Sequence, residues 1–186
     1  MRVRAACSGL APGSRRLAVC ILAALAVAGC ASPVTHQMMV PADLVATRTH
    51  PETVRVAVNG GNATDGMGKS QISNEEFALA LQEAITRSKI FSRIEPGPGA
   101  QYLLTTQIVT LDQPSVGFSF TVKMEVGWTL TRADTGKIVW RESIRSEFTA
   151  GAGDAFAGVT RLRIATEGAA RANIATGLGK ISQLDL

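Results

Sequence analysis

A chain of 186 residues that is 46% apolar and 18% charged has the composition of one folded domain rather than of a disordered protein. Its net charge of +4 suggests nucleic-acid binding, but the basic excess comes from four arginines among the first thirty residues, Arg2, Arg4, Arg15 and Arg16. The rest of the chain has equal numbers of acidic and basic residues. It therefore lacks the charge of a nucleic-acid-binding protein.

Residues 1–29 have the pattern of a bacterial lipoprotein signal peptide. Basic residues precede twelve apolar residues over 17–28. This length suits a secretory signal and is too short for a bilayer span, which needs about 20 residues. The run ends in VAGC at 27–30, which resembles a lipobox: an aliphatic residue, two small residues and the lipid-accepting cysteine. The resemblance implies cleavage before Cys30 and attachment of diacylglycerol and palmitate to it.

Lipidation at Cys30 would limit both chemistry and location. Cys30 would be the only cysteine of the mature chain, which excludes disulfides, cysteine-based zinc sites and thiol catalysis within one chain. Ala31 follows it rather than Asp. In Gram-negative relatives this implies sorting to the outer membrane, with the domain facing the periplasm.

The segment 30–52 shows no periodicity and contains both histidines of the protein, His36 and His50. We interpret it as a flexible tether with solvated histidines. The single domain predicted over 53–186 then contains no histidine, which removes the commonest general base and the commonest metal ligand. We expect no metal and no cofactor.

A strand and a capped helix open the predicted domain. Alternating valines over 53–59 predict a strand. After a glycine-rich loop, Ser73 has the position of a helix N-cap, and Glu76 completes the pattern of a capping box. Ile72 and Phe77 have the spacing of a hydrophobic staple across this helix start.

A long β-hairpin is the clearest prediction. Apolar and polar residues alternate strictly over 118–130, and a return strand follows over 137–149. A three-residue turn at 134–136 brings the apolar residues of both strands onto one face, and Gly136 suits its left-handed position. This register pairs Leu130 with Trp140, Val126 with Ile144 and Val122 with Phe148, and it places Glu125 opposite Arg145 and Lys123 opposite Glu147.

Glu142 is the exception on the apolar side of the hairpin, where it falls opposite Trp128. A buried carboxylate needs a partner. We therefore expect an arginine of the last helix beside it, or a position near the rim of the sheet.

A last helix is predicted over 155–184, capped by Asp154. Arg163, Glu167 and Arg171 have the i,i+4 spacing of exposed ion pairs. The small residues of the helix, including Gly168 and Gly177, should let it lie close to the sheet. Its inner stripe is Val159, Leu162, Thr166, Ala169, Ala170, Ile174, Leu178, Ile181 and Leu184.

The letters ATDGMGKS at 63–70 loosely fit a phosphate-binding loop between a strand and a helix. The first glycine is missing, the helix starts three residues too late for Lys69 and Ser70 to lie in its first turn, and the periplasm contains no ATP. We expect a loop that binds no nucleotide.

With a further strand over 102–111, the predicted order is β-α-β-β-β-α: a four-stranded, largely antiparallel sheet with two helices on one face. With its stretches SKIFSRI at 88–94 and AQYLL at 100–104 and its closing helix, the chain resembles the periplasmic auxiliary lipoproteins of ABC-type lipid-transport systems. It is more distantly similar to the lipopolysaccharide-assembly lipoprotein. The resemblance implies docking on an envelope protein or holding a lipid, and it carries no catalytic residues.

We therefore expect a non-enzymatic, membrane-anchored accessory subunit in envelope transport or assembly that binds a protein partner. One alternative is a lipid or glycolipid carrier with a groove between helices and sheet. Another is an envelope enzyme that depends on carboxylates, for which Glu142 is the best candidate.

Overall fold

The computed structural model describes residues 32–64 and 69–186, so the predicted signal peptide and Cys30 lie outside the described part. The described elements form one sheet with strand order β2-β1-β3-β4-β5, together with three helices. In chain order they are α1 (His36–Met39), β1 (His50–Asn59), α2 (Asn74–Ser88), β2 (Phe91–Ile94), β3 (Tyr102–Asp112), β4 (Phe120–Arg132), β5 (Ile138–Ala150) and α3 (Gly158–Ile181).

The predicted α+β class is confirmed. The described residues form five strands and three helices, whereas four strands and two helices were predicted. The two missed elements are α1 and β2, each of four residues. Four residues are too few to show a hydrophobic period.

The sheet is mixed rather than largely antiparallel. The long strands β3, β4 and β5 pair antiparallel as predicted, whereas β1 pairs in parallel with both β2 and β3. The parallel pairing with β2 follows from α2, because a helix between two neighbouring strands returns the chain to the end at which the first strand began.

The predicted N-cap and hydrophobic staple of α2 are confirmed, whereas the Glu76 carboxylate does not close the predicted capping box. The Ser73 hydroxyl accepts a hydrogen bond from the backbone N–H of Glu76 at 3.1 Å, and Ile72 and Phe77 are buried. The Glu76 carboxylate itself accepts a bond at 2.6 Å from the backbone N–H of His36 in α1. Glu76 therefore joins α1 to α2.

The predicted hairpin register is confirmed from Leu130–Trp140 onward, including Glu125 with Arg145 and Lys123 with Glu147. Next to the turn it shifts by one residue, so that Thr131 pairs with Ile138. Gly136 adopts the left-handed conformation, with φ of +68°, and donates its N–H to the carbonyl of Arg132 at 2.9 Å. The strand begins two residues later than predicted, so Phe118 is exposed rather than part of the core.

The tether prediction is wrong for the described part of 30–52. Val34, Met39 and Val40 belong to the hydrophobic core. His50 begins β1 and is buried, with its Nε2 lying 3.1 Å from the carbonyl oxygen of Ile181. These residues pack because α2 and α3 would otherwise expose apolar surface.

Helix α3 lies directly on the sheet through two glycines, as predicted. A Cβ at Gly168 would overlap the ring of Phe148, and a Cβ at Gly177 would overlap the indole of Trp128. Between them Asn173 accepts a hydrogen bond from the Trp128 indole N–H at 2.9 Å. Thr166 bonds back to the carbonyl of Leu162 at 2.8 Å, as its buried place in the stripe requires.

The start of α3 differs from the prediction. The helix begins at Gly158 with Ala157 at the N-cap, and Asp154 does not cap it. The Asp154 carboxylate instead accepts the N–H of Gly151 at 2.7 Å and closes a turn before the helix. An aspartate satisfies backbone N–H groups in turns as readily as at helix starts, so the residue type alone does not separate the two.

Candidate functional site

The sheet has one face covered by helices and one open face. The covered face carries Val54, Leu104 and Trp128, which are fully buried. On the other face the side chains are exposed or half-buried. We call this surface the open face; its residues are Arg55, Ala57, Leu103, Thr105, Gln107, Thr110, Asp112, Lys123, Glu125, Gly127, Thr129, Arg141, Ser143, Arg145 and Glu147.

The strand register arranges these residues in rows across the sheet. Gln107, Gly127 and Ser143 form one row. A register shift in β3 between Ile108 and Thr110 then brings Thr110 opposite Glu125. Without this bulge, Thr110 would point into the core, since side chains alternate along a strand.

Glu125 is the centre of the polar end of the open face. Its Oε1 accepts a hydrogen bond from the Ser143 hydroxyl at 2.7 Å, and its Oε2 accepts one from Arg145 Nε at 3.0 Å. These two hydrogen bonds lower the pKa of Glu125, and the bond from Ser143 has the larger effect. The carboxylate is therefore an ionised, oriented acceptor and is unsuited to donate a proton.

A shallow cavity of about 420 Å³ lies around this pair. Side chains of both charge signs line its walls, so it can receive the polar and charged side chains of a protein. Its lining residues are Thr110, Asp112, Lys123, Met124, Glu125, Arg145, Ser146 and Glu147.

The edge of β5 next to the open face is partly covered. Asn173 of α3 donates its side-chain N–H to the carbonyl of Ile144 at 2.9 Å and to the Ser146 hydroxyl at 3.1 Å. The side chain of Asn173 occupies the space beside this carbonyl and so hinders the pairing of an added strand there. The geometry therefore favours contact through the open face over extension of the sheet.

Glu142, the predicted candidate acid, lies at the rim of the sheet. Its Oε1 is 2.6 Å from the Nζ of Lys180 on α3, and both side chains are partly exposed. The partner expected from the last helix is present, but it is a lysine rather than an arginine. Glu142 thus has the surroundings of a structural ion pair.

The predicted exposed pairs around Glu167 are wrong. Glu167 is buried, and its carboxylate accepts the backbone N–H of Thr35 at 3.1 Å. Arg171 donates instead to the carbonyl of Met38 at 2.8 Å. Both residues therefore hold the segment before β1, which is the part of the chain that the sequence presented as a tether.

Lys69 of the loose phosphate-loop pattern donates its Nζ to the carbonyl of Gln113 at 2.6 Å. The residues 65–68 of that pattern lie outside the described part. Within residues 32–64 and 69–186, no group of three or more His, Cys, Asp or Glu side chains has the arrangement of a metal site. In the same ranges no helix combines the length and the hydropathy of a membrane span.

The groove postulated for a lipid would run between α3 and the sheet. At Gly168 and Gly177 that interface is closed, because the helix backbone contacts the rings of Phe148 and Trp128. A shallow cavity of about 400 Å³ lies beside the Gly168–Phe148 contact and is bounded on its other side by the chain around Leu44.

Comparison with known proteins identifies the fold. No family model and no curated protein matches the chain. Among solved structures it is similar to protein XCC0632 from Xanthomonas campestris, described under the family model DUF330, with 12% identity and a TM-score of 0.60 over 82% of this chain and 93% of that one.

Two further similar structures are bacterial lipoproteins. A minor lipoprotein from Acinetobacter baumannii has 6% identity and a TM-score of 0.49, over 71% of this chain and 93% of that one. Lipoprotein B from Nitrosomonas europaea has 10% identity and a TM-score of 0.47, over 74% and 86%. At such identities the likeness to XCC0632 shows a shared fold and leaves function to the residues of the site.

Proposed function

We propose that this chain is a lipoprotein anchored by Cys30 to the outer membrane of a bacterium, facing the periplasm. It acts as a non-enzymatic accessory subunit in envelope transport or assembly and binds a protein partner through the open face. The observation that carries the proposal is the asymmetry of the sheet: helices α2 and α3 cover one face, and the other face presents charged side chains to solvent.

The chemistry of the open face supports a protein partner. The Glu125 carboxylate is held by Ser143 and Arg145, so it is oriented before any partner arrives. Charges fixed in this way contribute to specificity and to association rate more than to affinity. An acyl chain would gain nothing from them, which argues against the open face as a lipid site.

Site-specific photo-crosslinking in cells tests the partner surface. A crosslinking residue at Gln107 or Ser143 should capture the same envelope protein, whereas one at Thr86, exposed on α2, should not. Capture from all three positions alike, or from Thr86 alone, would place the partner elsewhere.

A matched pair of charge reversals sharpens this test. Arg145→Glu removes the open-face pair with Glu125, and Arg87→Glu removes the corresponding surface pair with Glu83 on α2. Only the first should abolish capture from Ser143, because only Arg145 lies on the open face. Both are exposed ion pairs, so the two variants should cost similarly little stability. Equal loss in both would indicate a non-specific effect of charge.

The enzymatic alternative is tested at Glu142. Glu142→Gln keeps a hydrogen-bond acceptor for Lys180 and removes the ionisable group. Full complementation of a deletion strain by this variant is the expected result. Complete loss of function with normal protein levels would favour the carboxylate enzyme instead.

A further inference from the structure

Three large apolar side chains are exposed at one end of the domain. Val116 and Phe118 lie in the loop before β4, and Phe156 lies in the loop after β5; Phe118 is 92% exposed and Phe156 completely so. Both loops are at the same end, because the first residue of β4, Phe120, pairs with the last residue of β5, Ala150. Grouped exposed aromatic residues mark an interaction surface.

The side chain of Arg161 holds the backbone at Phe156 in place. The Nη1 group of Arg161 donates hydrogen bonds to two backbone carbonyls, that of Ala155 at 2.9 Å and that of Phe156 at 2.7 Å. The same guanidinium lies 5.6 Å from the ring centroid of Phe120. The exposed ring of Phe156 is thus presented by a fixed loop next to the start of β4.

The N-terminal end of the described chain is fixed at this same end. The buried Ser70 hydroxyl donates to the carbonyl of Ser32 at 2.7 Å. Gln113 donates its side-chain N–H to the carbonyl of Ser70 at 2.6 Å. Gln113 opens the loop that carries Val116 and Phe118, so Ser32 lies close to the base of that loop.

The distance from Ser32 to the proposed lipid anchor is short. Ser32 follows the proposed anchor by two residues in the sequence, and two residues of fully extended chain span at most about 7 Å. A lipid on Cys30 resides in the bilayer. The end of the domain with the exposed phenylalanines must then face the membrane surface, with no room for a long tether.

We propose that Val116, Phe118 and Phe156 insert into the interface of the bilayer leaflet that holds the lipid of Cys30, and that they fix the domain upright on the membrane. This rests on the proposed lipidation of Cys30. Apolar loops and an acyl anchor are two membrane signals that reinforce one another. The open face then extends away from the membrane along β4, over roughly 43 Å for its thirteen residues.

The full, lipidated protein in vesicles tests the orientation. Cleavage removes Cys7 and Cys20 and lipidation blocks Cys30, so an introduced cysteine is the only free thiol. A polarity-sensitive fluorophore is attached to Phe118→Cys, to Phe156→Cys and, as the matched control, to Val45→Cys. Val45 is 85% exposed and lies near the far end of α3, where the N–H of Thr47 donates to the Ser182 hydroxyl at 3.2 Å.

In vesicles of phosphatidylethanolamine and phosphatidylglycerol containing doxyl-labelled lipid, labels at 118 and 156 should shift their emission to shorter wavelength. They should be quenched by the doxyl lipid and protected from aqueous iodide. The label at 45 should show the opposite quenching pattern.

Two results would overturn the inference. Labels at 118 and 156 that iodide quenches as strongly as the label at 45 would show that this end faces water. Labels shielded from both quenchers would show that a protein covers it. The mass of the N-terminal peptide and vesicle flotation, measured on the same sample, separate these failures from an absent lipid, which would overturn the proposed anchor itself.

Discussion

The buried carboxylate of Glu167 on α3 accepts a hydrogen bond from the backbone N–H of Thr35, 132 residues earlier in the chain. The contact ties the chain immediately before α1 to the middle of the longest helix. Burial raises the pKa of Glu167, against the opposing effects of the Thr35 bond and of the charges on Arg163 and Arg171. The stability of the protein is therefore linked to pH through this residue.

Glu167→Gln should gain stability relative to the wild type as the pH rises. A raised pKa means that the folded state retains a proton which the unfolded state has already released. The contribution of Glu167 is therefore complete below the unfolded pKa of about 4.5 and is lost as the pH rises through the folded value. Glutamine keeps an acceptor for Thr35 and does not titrate. Urea unfolding at several pH values between 4 and 8 measures the difference.

Glu125→Gln provides a control of opposite sign. The pKa of Glu125 is lowered, so its contribution is present above the unfolded value and is lost as the pH falls. The stability difference between this variant and the wild type should shrink toward low pH. A constant difference for both variants across the range would contradict the assigned linkage.

Gly177→Ala should destabilise the protein by about 1–3 kcal/mol, because the added methyl group would overlap the indole of Trp128. Gly179→Ala, two residues later in α3, is the matched control, since no atom outside the helix lies within 4 Å of its Cβ position. The control should be stabilised by about 1 kcal/mol, because alanine favours a helix over glycine. Chemical denaturation measures the free energy of unfolding of both variants. An equal increase in both would mean that α3 does not contact the sheet at Gly177.

Asn173→Ala should cost about 1–3 kcal/mol, because it leaves the buried indole N–H of Trp128 without an acceptor. Trp128→Phe combined with Asn173→Leu removes both polar partners. The double variant should lose less stability than the sum of the losses in the single variants Trp128→Phe and Asn173→Leu. A double-mutant cycle by denaturation measures this coupling, and strict additivity would exclude the hydrogen bond as a stabilising contact.

Ala31→Asp should move the lipidated protein from the outer to the inner membrane, with no change in lipidation. Cys30→Ser should prevent lipidation and so remove the protein from the outer-membrane fraction. Separation of the two membranes by density, followed by detection of the protein, measures both effects. An Ala31→Asp protein that remains in the outer-membrane fraction would contradict the proposed sorting.

Much of the hairpin and of the start of α2 could be predicted from the sequence, because both depend on local or nearest-neighbour geometry. The alternation along β4, together with the need for Gly136 in a left-handed turn, leaves one register that buries a single face. That register also places Glu125 opposite Arg145, so the central contact of the candidate site was predictable. The cap at Ser73 depends on a bond to the backbone three residues away.

Only the tertiary structure decided the position of short or irregular segments. Nothing in four residues of α1 indicates that Met39 enters the core, and the spacing of Glu167 from Arg163 and Arg171 suggested an exposed surface. Phe118 continues the alternation of the strand, yet it lies beyond the last strand pair.

The physical reason is the range of the interactions involved. The sequence by itself determined the elements whose stability comes from hydrophobic period, capping and turn conformation, and with them the polarity of the open face. The N-terminal segment is stabilised by contacts with residues more than 130 positions away, such as that between Thr35 and Glu167. The fixed position of Ser32 beside the exposed phenylalanine loops depends on how distant loops meet, which only the folded chain specifies.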